Sequence, residues 1–246
     1  MSFHPDWIVP HWPAPSNVRA VITTRAGGTS PAPYDSMNFG LRSGDAESNV
    51  RANRAVLRAM LPAEPSWVHQ VHGNRVVHAE TMEPGVQADG SVAHEAGHVS
   101  VVMAADCMPV LLCDRAGTAV GAAHAGWRGL SGGVIENAVR EMGVAPDSVL
   151  AYLGPCIGPD NFEVGEDVLA AFTAHDMQAA NAFRPFPGRP GKWLCDLYAL
   201  ARQRLYALGV DAVYGGGFCT VADRRFFSHR RDAGNSGRMA GLIWRV

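Results

Sequence analysis

No segment of the chain is long and apolar enough to span a bilayer. The longest apolar run, Val99 to Cys113, is interrupted by Asp106 and falls short of the roughly 20 residues that a membrane helix needs. The N-terminal MSFHPDWIVPHW lacks a basic n-region and an apolar h-region, so no signal peptide is expected and the protein is expected to be cytoplasmic. Charge of either sign is not in excess: the formal net charge is -2, which gives no footprint for nucleic acid or an acidic membrane. Cysteine is sparse and odd in number. The five residues Cys107, Cys113, Cys156, Cys195 and Cys219 do not resemble a disulfide framework, and most suit small buried hydrophobes. CxxC, HExxH and His-x-His spacings are all missing. So are internal repeats, low-complexity tracts and a linker that would divide the chain, and residues 1–246 are expected to form one domain.

With 47% hydrophobic residues in 246, there is ample material for a core. The first half reads as strands and turns. Val18 to Thr24 is β-rich, and Trp67–Val71 with Arg75–His78 suggests a hairpin around Gly73-Asn74. Asp45 is placed to cap a helix over Ala46–Met60, with Val50, Val56, Leu57 and Met60 on its buried side. Val99–Ala104, Val110–Cys113 and Ala119–Ala123 read as short apolar strands. In the second half the periodicity predicts helices over Leu130–Met142, Glu166–Ala174 and Asp196–Leu208, the last stopped by Gly209. Phe183–Gly191, rich in Pro, Gly and Arg, reads as a surface loop. This pattern is not a regular βα alternation, and it supports an α+β class rather than a doubly wound parallel sheet.

Three side chains stand out for chemistry: His72, Cys107 and His124, each in a turn-rich stretch beside an apolar run. Two imidazoles and a thiol match the three-ligand set of a catalytic zinc site with an open fourth position. They lie 35 and 17 residues apart, too loose for recognition from local spacing, and a buried thiol with two hydrogen-bonded histidines is the alternative. The same set is that of blue copper, with Met103 or Met108 as the axial group; a multicopper oxidase, however, needs many more histidines. His69, three residues before His72, would face the other way in an extended segment. Asp106 reads either as a partner orienting a ligand or substrate, or as a strand-end turn residue. Arg25 and Arg128 are candidate phosphate clamps, or ordinary surface arginines. Trp127 could stack on a base or fill the core. The arginines at 224, 225, 230 and 231 around Phe226-Phe227 suit solvated edges or a substrate-anion site better than single-stranded nucleic acid, given the near-neutral charge.

Several blocks carry a resemblance that extends from about residue 20 to the C-terminus. They are ITTRAGG (Ile22–Gly28), HQVHG (His69–Gly73), ADCMPVLLCD (Ala105–Asp114), GAAHAGWRGL (Gly121–Leu130), LGPCIGPDNFEVG (Leu153–Gly165), CDLYALARQRL (Cys195–Leu205), FFSHRRD (Phe226–Asp232) and GRMAGLIW (Gly237–Trp244). In this order they resemble the bacterial YfiH-like family, also labelled polyphenol oxidase or laccase domain and described as purine nucleoside phosphorylase-type enzymes. His229 stands where tyrosine is common, and CTVADRRFF lacks the usual aromatic after its threonine.

The resemblance implies a four-layer α/β/β/α sandwich and zinc on His72, Cys107 and His124, with copper possible in vitro. It implies phosphorolysis of adenosine, inosine and 5′-methylthioadenosine with accompanying adenosine deamination. Purine nucleoside and phosphate would be the partners, Arg25 and Asp106 would join the catalytic set, and Arg25 and Arg128 would hold substrate. A monomer or homodimer is expected, with no nucleic acid and no membrane partner. Three rival readings stand beside it: a cysteine hydrolase with Cys107 as nucleophile and His124 as base, of the kind that edits peptidoglycan precursors; a copper-dependent polyphenol oxidase; and a non-catalytic, metal-stabilised binding protein.

Overall fold

Strand β6 (Met108–Asp114) explains the architecture, because all of its residues are buried and its two faces enter different cores. Val110 and Leu112 point one way and Leu111 and Cys113 the other, as the two-residue period of a strand requires. A strand buried on both sides must lie in a sheet covered twice. In the computed structural model, which describes residues 3–246, β6 lies inside a six-stranded sheet. Its neighbours on one side are β7 (Val120–Ala125), β4 (Gly90–Ala93) and β3 (Val76–His78); on the other are β8 (Val149–Leu153) and β12 (Ala212–Gly215).

A four-stranded sheet packs against it, in the order β1 (Val18–Ile22), β13 (Met239–Arg245), β5 (Val99–Ala104) and β2 (Pro65–Ser66). Ile22, Val102 and Ile243 of this sheet meet Leu111, Val120 and Leu150 of the other in the seam between them. Fully burying each such side chain stabilises the fold by about 1.5–3 kcal/mol. The outer face of the four-stranded sheet carries Val21, Val101 and Leu242 and is covered by α1 (Glu47–Arg58) through Leu57. The outer face of the six-stranded sheet is covered by α2 (Trp127–Ser131), α3 (Val134–Glu141) and α5 (Leu197–Ala207). Three successive cores are compatible with the four-layer α/β/β/α order. A small antiparallel sheet of β10 (Phe183–Pro185), β11 (Lys192–Cys195) and β9 (Glu163–Gly165) adjoins α4 (Glu166–Thr173).

Several local expectations are corrected. The hairpin around Gly73-Asn74 does not form: β2 pairs in parallel with β5, and β3 pairs in parallel with β4. The backbone N–H groups of Val71, His72 and Gly73 instead donate to the carboxylate of Asp89, which takes them out of any ladder. Leu130–Met142 is not one helix; it breaks at Gly132-Gly133, where Gly133 has φ 91°, a left-handed conformation that glycine adopts without a Cβ penalty. Asp45 does not cap α1. Ala46 occupies the cap position, and the Asp45 carboxylate accepts from Ser30, Asn38 and Asn49 side chains. Val56 is exposed, while Val50 and Leu57 are buried as expected. The loop expected from Phe183 begins as strand β10. By contrast, α5 lies where its periodicity placed it, with Asp196 accepting from the Ala199 N–H as the N-cap and Gly209 just beyond its end.

Candidate active site

His124 lies within β7, not after it. By alternation it shares the face of Val120 and Ala122, which points into the seam between the sheets. Cys107 lies in the three-residue turn between β5 and β6, and Asp106 makes that turn with a φ of 82°. His72 comes from the segment before β3 and is itself left-handed, with φ 61°. This conformation is uncommon outside glycine, and Asp89 holds it in place through the three N–H groups at 71–73. One ligand atom from each of His72, Cys107 and His124 lies within 4.8 Å of the others. The two imidazole rings meet edge to face at 4.8 Å between centroids.

Asp89, which the sequence reading did not single out, is the organiser of this cluster. It is fully buried just ahead of β4, and its Oδ1 accepts from both His72 N–H and His124 Nδ1, each at 2.9 Å. With the Nδ1 proton committed to a carboxylate, His124 presents the Nε2 lone pair to the cluster, the arrangement that metal-binding histidines favour. The only local signal for Asp89 is an acid between Ala88 and Gly90 at the start of an apolar strand.

The donor set fits a borderline divalent cation such as zinc on three observations. First, burial alone would raise the Cys107 thiol, but the nearby imidazoles, His124 foremost, outweigh it and bring it down to about 6, so the sulfur is a ready thiolate. Second, burial would lower His124, but the Cys107 sulfur and the Asp89 carboxylate raise it to about 9, so without a cation a proton lies on Nε2 between ring and sulfur, in the place that a divalent ion would take. Third, a Cβ built on Gly126 would lie 2.7 Å from Cys107 Sγ and 3.3 Å from His72 Cδ2, so the absence of a side chain there keeps the space between the donors free.

The cluster opens into a cleft of about 720 Å³, within the range of small-molecule sites. Trp127 and Phe162 contribute apolar walls, and the guanidiniums on its lining are those of Arg42, Arg54, Arg230 and Arg238. Gln70 fastens the HQVHG segment to β5, donating to Met103 O at 2.8 Å and accepting from Met103 N at 2.7 Å. Asp106 also lines the cleft, but its carboxylate is engaged by the Thr220 hydroxyl and the Arg230 N–H, tying the Cys107 turn to two distant segments.

The structure does not bring Arg25 or Arg128 to the cleft lining. Arg25 donates to the backbone and carboxylate oxygens of Asp35 and lies over Phe227; Arg128 is exposed and lies over the Trp127 ring. His69 lines the cleft and stays outside the donor cluster, pairing by its backbone with Gln87. Of the two methionines considered as axial groups, Met103 lines the cleft, whereas Met108 is fully buried in the helix-side core. Among the described residues no helix is long and apolar enough to cross a membrane.

Residues 19–246 match the family model described as multi-copper polyphenol oxidoreductase laccase. The chain is 50% identical over 239 residues to a protein of Pseudomonas aeruginosa named purine nucleoside phosphorylase, covering 97% of this chain and 98% of that one. It is 49% identical over 244 residues to the Escherichia coli purine nucleoside phosphorylase YfiH, at 97% and 98% coverage. A crystal structure of a Neisseria meningitidis protein superposes with a TM-score of 0.93 at 50% identity, covering 98% of this chain and 99% of that one. That of Bacillus licheniformis YfiH gives 0.85 at 28% identity and 93% coverage of both. On sequence and on fold alike, this chain belongs to the YfiH-type family of laccase-like proteins.

Proposed function

We propose that this protein is a single-domain, zinc-dependent purine nucleoside phosphorylase acting on adenosine, inosine and 5′-methylthioadenosine, with an accompanying adenosine deaminase activity. The observation that carries the reading is the convergence of His72, Cys107 and His124 on the floor of a nucleoside-sized cleft. The phosphorylase names of relatives about half identical over almost the whole chain support it. Zinc, when bound, supplies Lewis-acid charge at the cleft floor.

The remaining work falls to the protein's own groups. Phosphorolysis breaks the bond between the purine nitrogen and the ribose anomeric carbon, joins that carbon to a phosphate oxygen, and releases a base that gains a proton. Phosphate must therefore be held in place and its charge balanced. Arg238 supports that role: its Nη1 is bonded to Ser236 O and Gly237 O, and its other nitrogens have no side-chain or backbone acceptor among the described residues. Burial lowers this guanidinium from its ordinary value, so an anion in the cleft relieves a partly dehydrated cation. Trp127 and Phe162 offer apolar surface to the purine, with the outer face of Trp127 already covered by Arg128. Asp106 positions the Cys107 turn. Arg25 supports the fold near the cleft through Asp35, without a substrate contact.

A cysteine hydrolase is the second reading, favoured by one feature: Cys107, His124 and Asp89 follow one another in the order of a nucleophile, its base and the group that orients the base. Both readings are tested together. Metal content is measured on protein purified without added metal, and adenosine is then incubated with and without phosphate. The phosphorylase predicts zinc near stoichiometric level, phosphate-dependent adenine, and some inosine. Cys107→Ala should lose the metal of the cleft and turnover together. Metal-loaded protein that yields neither product refutes the purine reading, and loss of turnover in Cys107→Ala with metal content equal to that of the wild type favours the nucleophile.

A further inference from the structure

A second group of donor side chains lies at the other end of the six-stranded sheet. Asp89 precedes β4 and His94 follows it, so the length of that strand, roughly 16 Å, separates the two. At this far end one ligand atom from each of His78, Glu80 and His94 lies within 4.8 Å of the others. His78 ends the edge strand β3, Glu80 lies two residues beyond, and His94 begins the segment that leaves β4. The phosphorylase reading makes no use of any of them.

The hydrogen bonds around the two rings are those of a metal-ready pair. His78 Nε2 is 3.2 Å from Glu141 Oε2, and His94 Nε2 is 3.0 Å from the backbone oxygen of Met142. A carboxylate and a carbonyl can only accept, so each ring carries its proton on Nε2 and keeps a lone pair on Nδ1. Among the described residues neither Nδ1 has a hydrogen-bond partner. The rings lie almost parallel, 23° apart with centroids at 5.4 Å. Glu80 is held too: its Oε1 accepts the N–H groups of both His94 and Glu95, which leaves Oε2 free. A carboxylate or a backbone carbonyl on the other ring nitrogen is the usual outer partner of a metal-ligating histidine.

Local charge favours a cation. Glu141 and Met142 close helix α3, whose C-terminal carbonyls carry partial negative charge, and Glu80 and Glu141 add two carboxylates. Two basic side chains beside it are already engaged: Arg245 donates to the His94 and Thr118 carbonyls, and His98 lies 3.7 Å from Glu95. Zinc bonds of about 2.0–2.2 Å require donors roughly 3.3 Å apart, so the site must contract by at most about 1.5 Å. His94 is exposed and His78 half-buried, and both can turn that far.

We propose that His78, Glu80 and His94 form a second site for a divalent transition cation of the zinc class, clipping the edge of the sheet to the end of α3. The set of two nitrogens and one oxygen suits zinc, nickel, cobalt or copper better than magnesium or calcium.

The test is titration of chelator-stripped full-length protein with cobalt(II), followed by visible absorption, with zinc stoichiometry measured in parallel by calorimetry. The wild type should bind two equivalents, one of which brings a sulfur-to-cobalt charge-transfer band. His94→Ala and, separately, His78→Asn should bind one equivalent and keep that band. Cys107→Ala should bind one equivalent and lack it. Phosphorolysis by His94→Ala should stay at the wild-type rate. Saturation of the wild type at one equivalent that carries the charge-transfer band overturns the proposal, as does a second equivalent that persists in both histidine variants or binds only at millimolar metal. A missing charge-transfer band with the His94-dependent equivalent intact would count against the cleft site and leave this one standing.

Discussion

Replacing Asp89 by asparagine preserves the shape of the side chain and removes its charge and one acceptor. In the native protein Oδ1 accepts from His72 N–H and His124 Nδ1 at 2.9 Å, and Oδ2 accepts from Val71 and Gly73 N–H at 3.1 and 2.7 Å. An asparagine can satisfy only one of these two pairs. Whichever way the amide turns, its NH2 faces two donors in a fully buried setting. Each unsatisfied donor costs about 1–3 kcal/mol, and breaking a buried ion pair costs about 3–5 kcal/mol, so Asp89→Asn should lose about 3–5 kcal/mol of stability. The same change releases the proton position of His124 and the left-handed backbone at His72, and metal affinity should fall by about 10–100-fold. Urea denaturation of metal-loaded and stripped protein separates the two effects, and competition with a chromophoric chelator measures the affinity. If Asp89→Asn unfolds at the wild-type urea midpoint and holds metal as tightly, Asp89 does not organise the cluster.

Gly126→Ala should place a methyl carbon 2.7 Å from Cys107 Sγ; we expect a folded protein with much reduced metal content and turnover, and full metal occupancy would contradict this. Chelation should expose a thiolate at Cys107, so iodoacetamide labelling of stripped protein should rise with a midpoint near pH 6, and zinc should protect the residue. Cys113, pushed up to about 12 by burial and by neighbouring Asp114, should stay unlabelled in the folded state. Burial would raise the Asp114 carboxyl, but the N–H groups of Thr118 and Ala119 and the Thr118 hydroxyl lower it overall. Because its folded pKa lies below the unfolded value of about 3.9, its contribution is complete above that pH and is lost as pH falls through the folded value. Asp114→Asn should therefore cost stability at neutral pH and flatten the loss of stability as pH falls below about 4, seen in denaturation midpoints at acid pH. An unchanged acid slope would rule Asp114 out as a contributor.

Local chemistry made much of this protein legible from its sequence. The stripe along Leu197, Leu200, Ala201 and Leu205 with Asp196 before it and Gly209 after it specified α5, because periodicity, cap and stop all lie within one short segment. The apolar runs that became β5, β6 and β7 were equally clear, since strands covered on both faces carry few polar residues. His72, Cys107 and His124 were named by resemblance of whole blocks, not by their spacing. Only the folded chain decided the rest. Asp89 draws three N–H groups from residues 71–73 and so cancels the hairpin, and no local pattern records a contact 16 to 18 residues away. Arg25 turns to Asp35 whereas Arg238, more than 200 residues later, reaches the cleft, because strands β1 and β13 are neighbours in space and distant in the chain. His78 and His94 come together because β3 and β4 run in parallel and end side by side. Propensity is written within a few residues, but convergence of donors depends on which strands pair, and pairing is set by burial across the whole molecule.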